Sequence, residues 1–378
     1  MARTEVVPAA EAGPSSDAVR IERVEVDAYT VPTDLPESDG TLQWSATTMV
    51  LVRIFAGGKC GLGFSYADRS CAILAHDLLA PLITGGDAWA IASLWQEMLR
   101  AIRNLGRSGI ASMAIAAIDN ALWDLKARLL DLPLAVLLGA ARERVPVYGS
   151  GGFTSYSDAQ LSEQLGCWAG AGIGRVKMKV GREPARDVVR VKAARDAIGP
   201  NVELFVDANG AYGRKQALAL ADSFGRLGVA WYEEPVSSDD LEGLRLIRDH
   251  APPGMEIAAG EYGYDQAYFR RMLAAGAVDV LQADATRCAG ISGFMRAAAL
   301  CEAFGLPLSS HCAPSMHLHA ALAVPCLRHM EYFHDHVRIE HLLFDGVATP
   351  RHGLLQADLS RSGMGLEFKC ADARRYQV

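Results

Sequence analysis

RVKMKVGREPARDVVRVKAARDAIGPNVELFVDAN, Arg175 to Asn209, consists of two short apolar runs joined by an amphipathic stretch, and this unit decides the fold. Runs of five to eight residues, apolar or β-branched and separated by a helical stretch, predict a strand, a crossover helix and a parallel neighbour. Outward from it the same rhythm recurs from Arg144 onward: VPVYGS (Val145 to Ser150), RVKMKV (Arg175 to Val180), VELFVDAN (Val202 to Asn209), VAWYEEP (Val229 to Pro235), EIAAGE (Glu256 to Glu261), VDVLQAD (Val278 to Asp284), LPLSSH (Leu306 to His311) and RHMEYF (Arg328 to Phe333). Eight runs over roughly 200 residues is the count of a closed (β/α)8 barrel rather than of an open doubly wound sheet.

Upstream the pattern differs. IERVEVDAYTV and TMVLVRIF, followed by the Gly-punctuated GGKCGLGF, predict a small antiparallel sheet, and Asp87 to Arg103 and Ala111 to Leu130 carry apolar residues at helical spacing. The chain is therefore read as an α/β protein: a tail over residues 1–18, an α+β N-terminal capping domain over 19–141, the (β/α)8 barrel over 142–345, and a C-terminal segment, 346–378, returning to complete the cap. The tail, rich in Ala, Pro, Ser and Glu, lacks the apolar stretch of a secretory signal and is expected to be disordered.

A chain of 378 residues, half of them hydrophobic and 21% charged, can bury a large core. No stretch approaches the roughly 18 apolar residues of a membrane span. The net charge of -7 comes without a basic stripe, which argues against nucleic acid as a partner. The eight cysteines are scattered, with no C-x-x-C pair, and read as thiols rather than disulfides or zinc ligands. A cytoplasmic enzyme is the expectation.

The second to eighth strand runs each place a titratable group at or near the carboxyl end: Lys177 and Lys179, Asp207, Glu233, Glu261, Asp284, His311 and Glu331. Barrel active sites lie at that end. Asp207, Glu233 and Glu261, on three successive strands, would repel one another unless a hard divalent cation sat among them, and an oxygen-only set suits Mg²⁺. Lys177 and Lys179 are two apart, so both project to the barrel interior, where burial, a like charge and a nearby metal are expected to favour the neutral amine that a base needs. Asp284 and His311 end adjacent strands, so the carboxylate can orient one ring nitrogen and leave the other as acid or base.

With these residues in hand, the chain resembles the enolase superfamily, in particular its mandelate racemase subgroup. The resemblance is carried by VKMKV, VDANGAY, WYEEP, AAGE, QADATRCAGISGF and PLSSH, one motif per strand and in order. It implies a metal held by Asp207, Glu233 and Glu261, Lys179 as the base on one face of a small-molecule carboxylate substrate, and His311 with Asp284 serving the other face. It also implies Lys177 near the substrate carboxylate, Glu331 as a hydrogen-bond donor to the enediolate formed when the α proton leaves, and a homo-oligomeric assembly. Dehydration of a sugar acid is the reaction expected from it; racemisation or epimerisation of a 2-hydroxy acid is the alternative, since both begin with the same proton. The cap stretch Val31 to Thr48 carries Asp34, Glu37, Asp39 and Trp44, which does not look like a pocket for an aryl hydroxyacid.

Overall fold

The computed structural model describes residues 18–378, so the expected N-terminal tail falls almost wholly outside the described residues. An antiparallel sheet forms first, from β1 (Arg23–Ser38), β2 (Gln43–Ala56) and β3 (Lys59–Tyr66), in that order. Helices Ile91–Ala101 and Ile110–Leu129 follow, close to the stretches predicted. A further helical run over Arg69–Ile83, including a π turn at Ala75–Leu79, was not singled out in the sequence. The long helix Ile110–Leu129 lies directly on β3: a Cβ at Gly63 would stand 2.2 Å from Ala121 N and 2.4 Å from Ala117 O.

Eight parallel strands make the second layer: β4 (Val145–Gly151), β5 (Arg175–Lys179), β6 (Glu203–Asp207), β7 (Val229–Glu233), β8 (Glu256–Ala259), β9 (Val280–Ala283), β10 (Leu308–Ser310) and β11 (Leu327–Phe333). Each pairs with its successor and β11 pairs with β4, which closes the barrel. All eight lie within the runs read from the sequence, apart from one-residue extensions at Gly151 and Leu327. In register, Phe205 opposes Trp231 and Lys177, while Asp207 opposes Glu233 and Lys179. Tyr148, Phe205 and Trp231 thus form an aromatic floor, with Phe205 and Trp231 stacked at 5.2 Å, and the titratable groups stand on the next tier towards the carboxyl ends.

The C-terminal residues touch both layers. Leu354 and Leu355 pair antiparallel with β4, whereas Val378 N donates to Ala28 O at 3.0 Å and Gln377 bridges to Tyr29 in the cap. Among the described residues no helix is long and apolar enough to cross a membrane. The cap reaches the barrel mouth through the β1–β2 turn, where Gly40 comes so close to the strand ends that a Cβ would meet Ala208 O at 2.5 Å and Val180 O at 2.8 Å.

Candidate active site

A cavity of about 350 Å³ opens where the turn between β1 and β2 overhangs the carboxyl ends of the barrel strands. Lys179, Glu261, Asp284 and His311 line it from below, and Asp39, Trp44, Thr47 and Thr48 from the cap. All eight residues singled out at the strand ends are buried around this mouth. Several strands end in strained backbone just past the site: Asn209, Glu234 and Cys312 have φ of 47°, 37° and 50°, a region that residues other than Gly rarely adopt and that clusters at functional sites.

One oxygen each from Asp207, Glu233 and Glu261 lie within 4.8 Å of one another, all buried. Burial and the adjacent Asp207 carboxylate push Glu233 up to about 8. Glu261 Oε1 receives the Arg287 guanidinium at 3.2 Å, while the buried Glu261 Oε2 accepts no hydrogen bond and has only His311 Nε2 near it, at 3.3 Å. An orphaned carboxylate oxygen in a crowded, oxygen-only set is the donor chemistry of a hard divalent cation, so these residues fit Mg²⁺.

Lys179 Nζ lies 2.5 Å from Asp207 Oδ2, and Lys177 Nζ lies 2.6 Å from Glu233 Oε1 and 2.8 Å from Glu331 Oε1. Burial alone would lower both amines. It is outweighed at Lys177 by Glu233 and Glu331 and at Lys179 by Asp207, so both are raised. The neutral amine expected from burial, a like charge and a nearby metal is therefore not favoured by the protein groups alone, because the carboxylates across the barrel act against it.

His311 Nδ1 meets Asp284 Oδ2 at 2.8 Å, as the strand order suggested, and Nε2 faces Glu261 Oε2 at 3.3 Å. Burial works against the imidazolium, but Glu261 and the Asp284 bond outweigh it and raise the ring. Asp284 is held below the usual carboxylate range despite its burial, by His311 above all. Glu331 lies against Lys177 Nζ at 2.8 Å. Although burial would raise it, Lys177 holds it well below the usual range, and it accepts from Ser150 Oγ at 2.6 Å and from Cys312 N at 2.7 Å. Its visible work is to fix Lys177 and the backbone after His311.

Several participants were not singled out. Glu234 is buried beside Glu261 and raised well above the usual range by its burial first and then by Glu261. Arg287 lies over the Tyr262 ring at 5.2 Å and reaches Glu261. Both stand in motifs already quoted, but in the turns after β7 and β9, where polar residues are ordinary. His317 is structural: its Nε2 accepts from Ala285 N at 2.7 Å and its Nδ1 donates to Ala313 O at 2.9 Å, bracing the turn that follows β9.

Fold and site define a capped (β/α)8 barrel with acid, base and cation-ligand chemistry gathered at its mouth. Residues 23–139 match the mandelate racemase / muconate lactonizing enzyme N-terminal domain, and residues 160–373 match the enolase C-terminal domain-like family. The chain belongs to the mandelate racemase/muconate lactonizing enzyme group of the enolase superfamily. A solved mandelate racemase/muconate lactonizing enzyme-like protein from Rubrobacter xylanophilus is 56% identical, with a TM-score of 0.93 over 95% of this chain and 100% of that one. L-talarate/galactarate dehydratase from Salmonella typhimurium is 34% identical over 89% of this chain and 88% of its own length. The 3,6-anhydro-alpha-L-galactonate cycloisomerase of Streptomyces coelicolor is 33% identical over 91% and 98%. L-talarate dehydratase from Polaromonas, solved with Mg and L-glucarate, has 32% identity and a TM-score of 0.87 over 96% of this chain and 98% of that one.

Proposed function

We propose that this protein is a Mg²⁺-dependent sugar acid dehydratase in which Lys179 removes the proton α to a carboxylate and His311 protonates the departing β hydroxyl. The observation that carries the reading is that Lys179, Glu261 and the His311–Asp284 pair line one cavity, with Asp207 and Glu233 buried beside Glu261 in the carboxylate trio. The dehydratases among the relatives support the reaction class, and the polar lining of the mouth, including Asp39, Thr47, Thr48, Asn209, Thr286 and Arg287, supports a polyhydroxylated substrate.

Asp207, Glu233 and Glu261 would hold the metal. Bound there, Mg²⁺ would supply positive charge beside the substrate carboxylate, where proton removal creates a second negative charge, and would draw the Asp207 charge away from the Lys179 ammonium. Lys179 then accepts the α proton as its amine, the pair from the C–H bond moves into the carboxylate, and the pair returns to expel the β hydroxyl. His311, held by Asp284 with Nε2 towards the cavity, gives up its proton so that the leaving group departs as water. The enol that remains tautomerises to a 2-keto-3-deoxy acid. Lys177, anchored by Glu233 and Glu331, sets positive charge beneath the site.

An isomerase reading shares the first step, and the cycloisomerase relative, nearly as similar as the dehydratase, favours keeping it as the competing outcome. Incubation with Mg²⁺ and a panel of aldonic and aldaric acids separates the two. Dehydration yields a semicarbazide-reactive 2-keto-3-deoxy acid. Deuterium incorporation into recovered or isomerised acid, with no keto product, would reject the dehydratase. A homo-oligomeric assembly belongs to the same reading and is tested by light scattering.

A further inference from the structure

The end of β1 carries acids that the catalytic cavity does not use. One oxygen of Asp34, one oxygen of Glu37 and one ring nitrogen of His334 lie within 4.8 Å of one another, where the cap meets the residue that follows β11. His334 Nε2 is 3.0 Å from Asp34 Oδ2. Glu37 is wholly buried; its Oε2 accepts from Trp44 Nε1 at 2.8 Å, but its Oε1 has no hydrogen-bond partner. Nearby, Asp335 is buried as well and engages Thr47 and Arg338, and Arg338 also donates to Pro32 O. The guanidinium at this seam is thus hydrogen-bonded to Asp335, and the two acids on β1 bond only to the Trp44 indole, the Leu35 amide and the His334 ring.

A buried carboxylate oxygen with no donor is strongly disfavoured unless a proton or a cation satisfies it. Nitrogen from one imidazole and oxygen from two carboxylates form the donor set of a divalent transition ion, unlike the all-oxygen trio in the barrel. Partial exposure of Asp34 and His334 provides a path for an ion to enter without opening the fold. We infer that Asp34, Glu37 and His334 form a second cation site, selective for a first-row divalent ion such as Zn²⁺, that fastens the cap to the barrel rim. Water would complete the coordination. Trp44 gives the site a bearing on the cavity, since the ring that holds Glu37 also lines the mouth and packs edge-on against Phe153 at 5.7 Å.

The test is Zn²⁺ titration of the full chain in saturating Mg²⁺ against a chelating indicator, with thermal unfolding in parallel. Wild type should bind Zn²⁺ at the seam and gain thermal stability from it. Glu37→Gln and His334→Asn should lose that site and the gain, while Glu261→Gln, altered only in the barrel trio, should keep both. Asp34→Asn changes an exposed residue and should fold normally, yet weaken Zn²⁺ at the seam by ~10-fold or more, as loss of a ligand requires. With Co²⁺ in place of Zn²⁺, a ligand-field band present in wild type should vanish in His334→Asn. Equal Zn²⁺ stoichiometry and stabilisation in wild type, Glu37→Gln, His334→Asn and Asp34→Asn would overturn the site. So would the absence of any Zn²⁺ binding at the seam of wild type, which would mean that Glu37 simply carries a proton.

Discussion

Lys177 and Lys179 leave the same strand two residues apart and meet different carboxylates, and this separates their work. Lys177 is locked between Glu233 and Glu331, whereas Lys179 has one close partner, Asp207, and faces the cavity. On the proposed mechanism the second exchanges a proton with the substrate and the first stays a fixed charge. The carboxylate trio should be equally divisible by substitution. Asp207→Asn, Glu233→Gln and Glu261→Gln should each weaken Mg²⁺ binding by at least the ~10- to 100-fold that even outer-shell changes cost, with turnover falling to background. Calorimetric Mg²⁺ titration checks this, and wild-type affinity in any of the three would remove that residue from the site. Asp284→Asn should act as a milder form of His311→Asn, because it misorients the ring without removing it. These strand-end positions were readable from the sequence because a lysine or carboxylate inside a short apolar run is conspicuous. Protonation was not readable: the state of Glu331 depends on Lys177, 154 positions away in the chain, and no local pattern reports that contact.

The strands themselves were legible because period-2 apolar runs bounded by Gly and Pro have few alternatives, and the register that stacks polar over aromatic tiers follows from them. Less legible were Arg69–Ile83, whose helical run is broken by a π turn, and the C-terminal segment, whose place is fixed by distant partners. Buried Asp124 shows why: its two oxygens accept from Leu62 N of β3 at 2.8 Å and from Met364 N at 2.6 Å, tying sheet, helix and C-terminal segment together. Two glycines test the packing of elements. Gly63→Ala would force a methyl into the backbone of helix Ile110–Leu129, a collision on the scale of ~1–3 kcal/mol for overpacking, and should lower the unfolding midpoint. Gly40→Ala would push the β1–β2 turn off the barrel mouth; kcat/KM should fall more than stability does. Thermal unfolding and steady-state kinetics on both variants read the contrast, and unchanged kinetics in Gly40→Ala would detach the cap from catalysis.

Across the whole molecule, buried histidines link folding to pH. His319 is buried, its Nδ1 accepts from Ala135 N at 3.1 Å, and burial lowers it to about 4; His336, whose Nδ1 accepts from Ala313 N at 3.2 Å, is lowered to about 3, again by burial. In the unfolded chain both titrate near 6.5, so between about 6.5 and 4 the unfolded state binds more protons. Their stabilisation is therefore complete above about 6.5 and is lost as the pH falls through 4 for His319 and 3 for His336. Urea unfolding at a series of pH values should show that loss, and His319→Gln should have a shallower slope between pH 6.5 and 4 than wild type. Parallel curves would mean that His319 protonates in the fold as readily as outside it.

At this same scale the proposed reaction is divided around the barrel ring. Lys179 ends β5 and His311 follows β10, and the carboxylate trio sits at the ends of the three strands after β5, so the two groups proposed as proton carriers reach the cavity from different strands. The most direct test follows α-proton exchange in D₂O alongside keto-acid formation, with Mg²⁺ and a sugar acid that wild type dehydrates. His311→Asn should keep exchanging the proton that faces Lys179 while dehydration falls by ~10² to 10⁴, the usual scale for losing a general acid, and Lys179→Ala should lose both. Full dehydration by His311→Asn, or undiminished exchange by Lys179→Ala, would contradict the account.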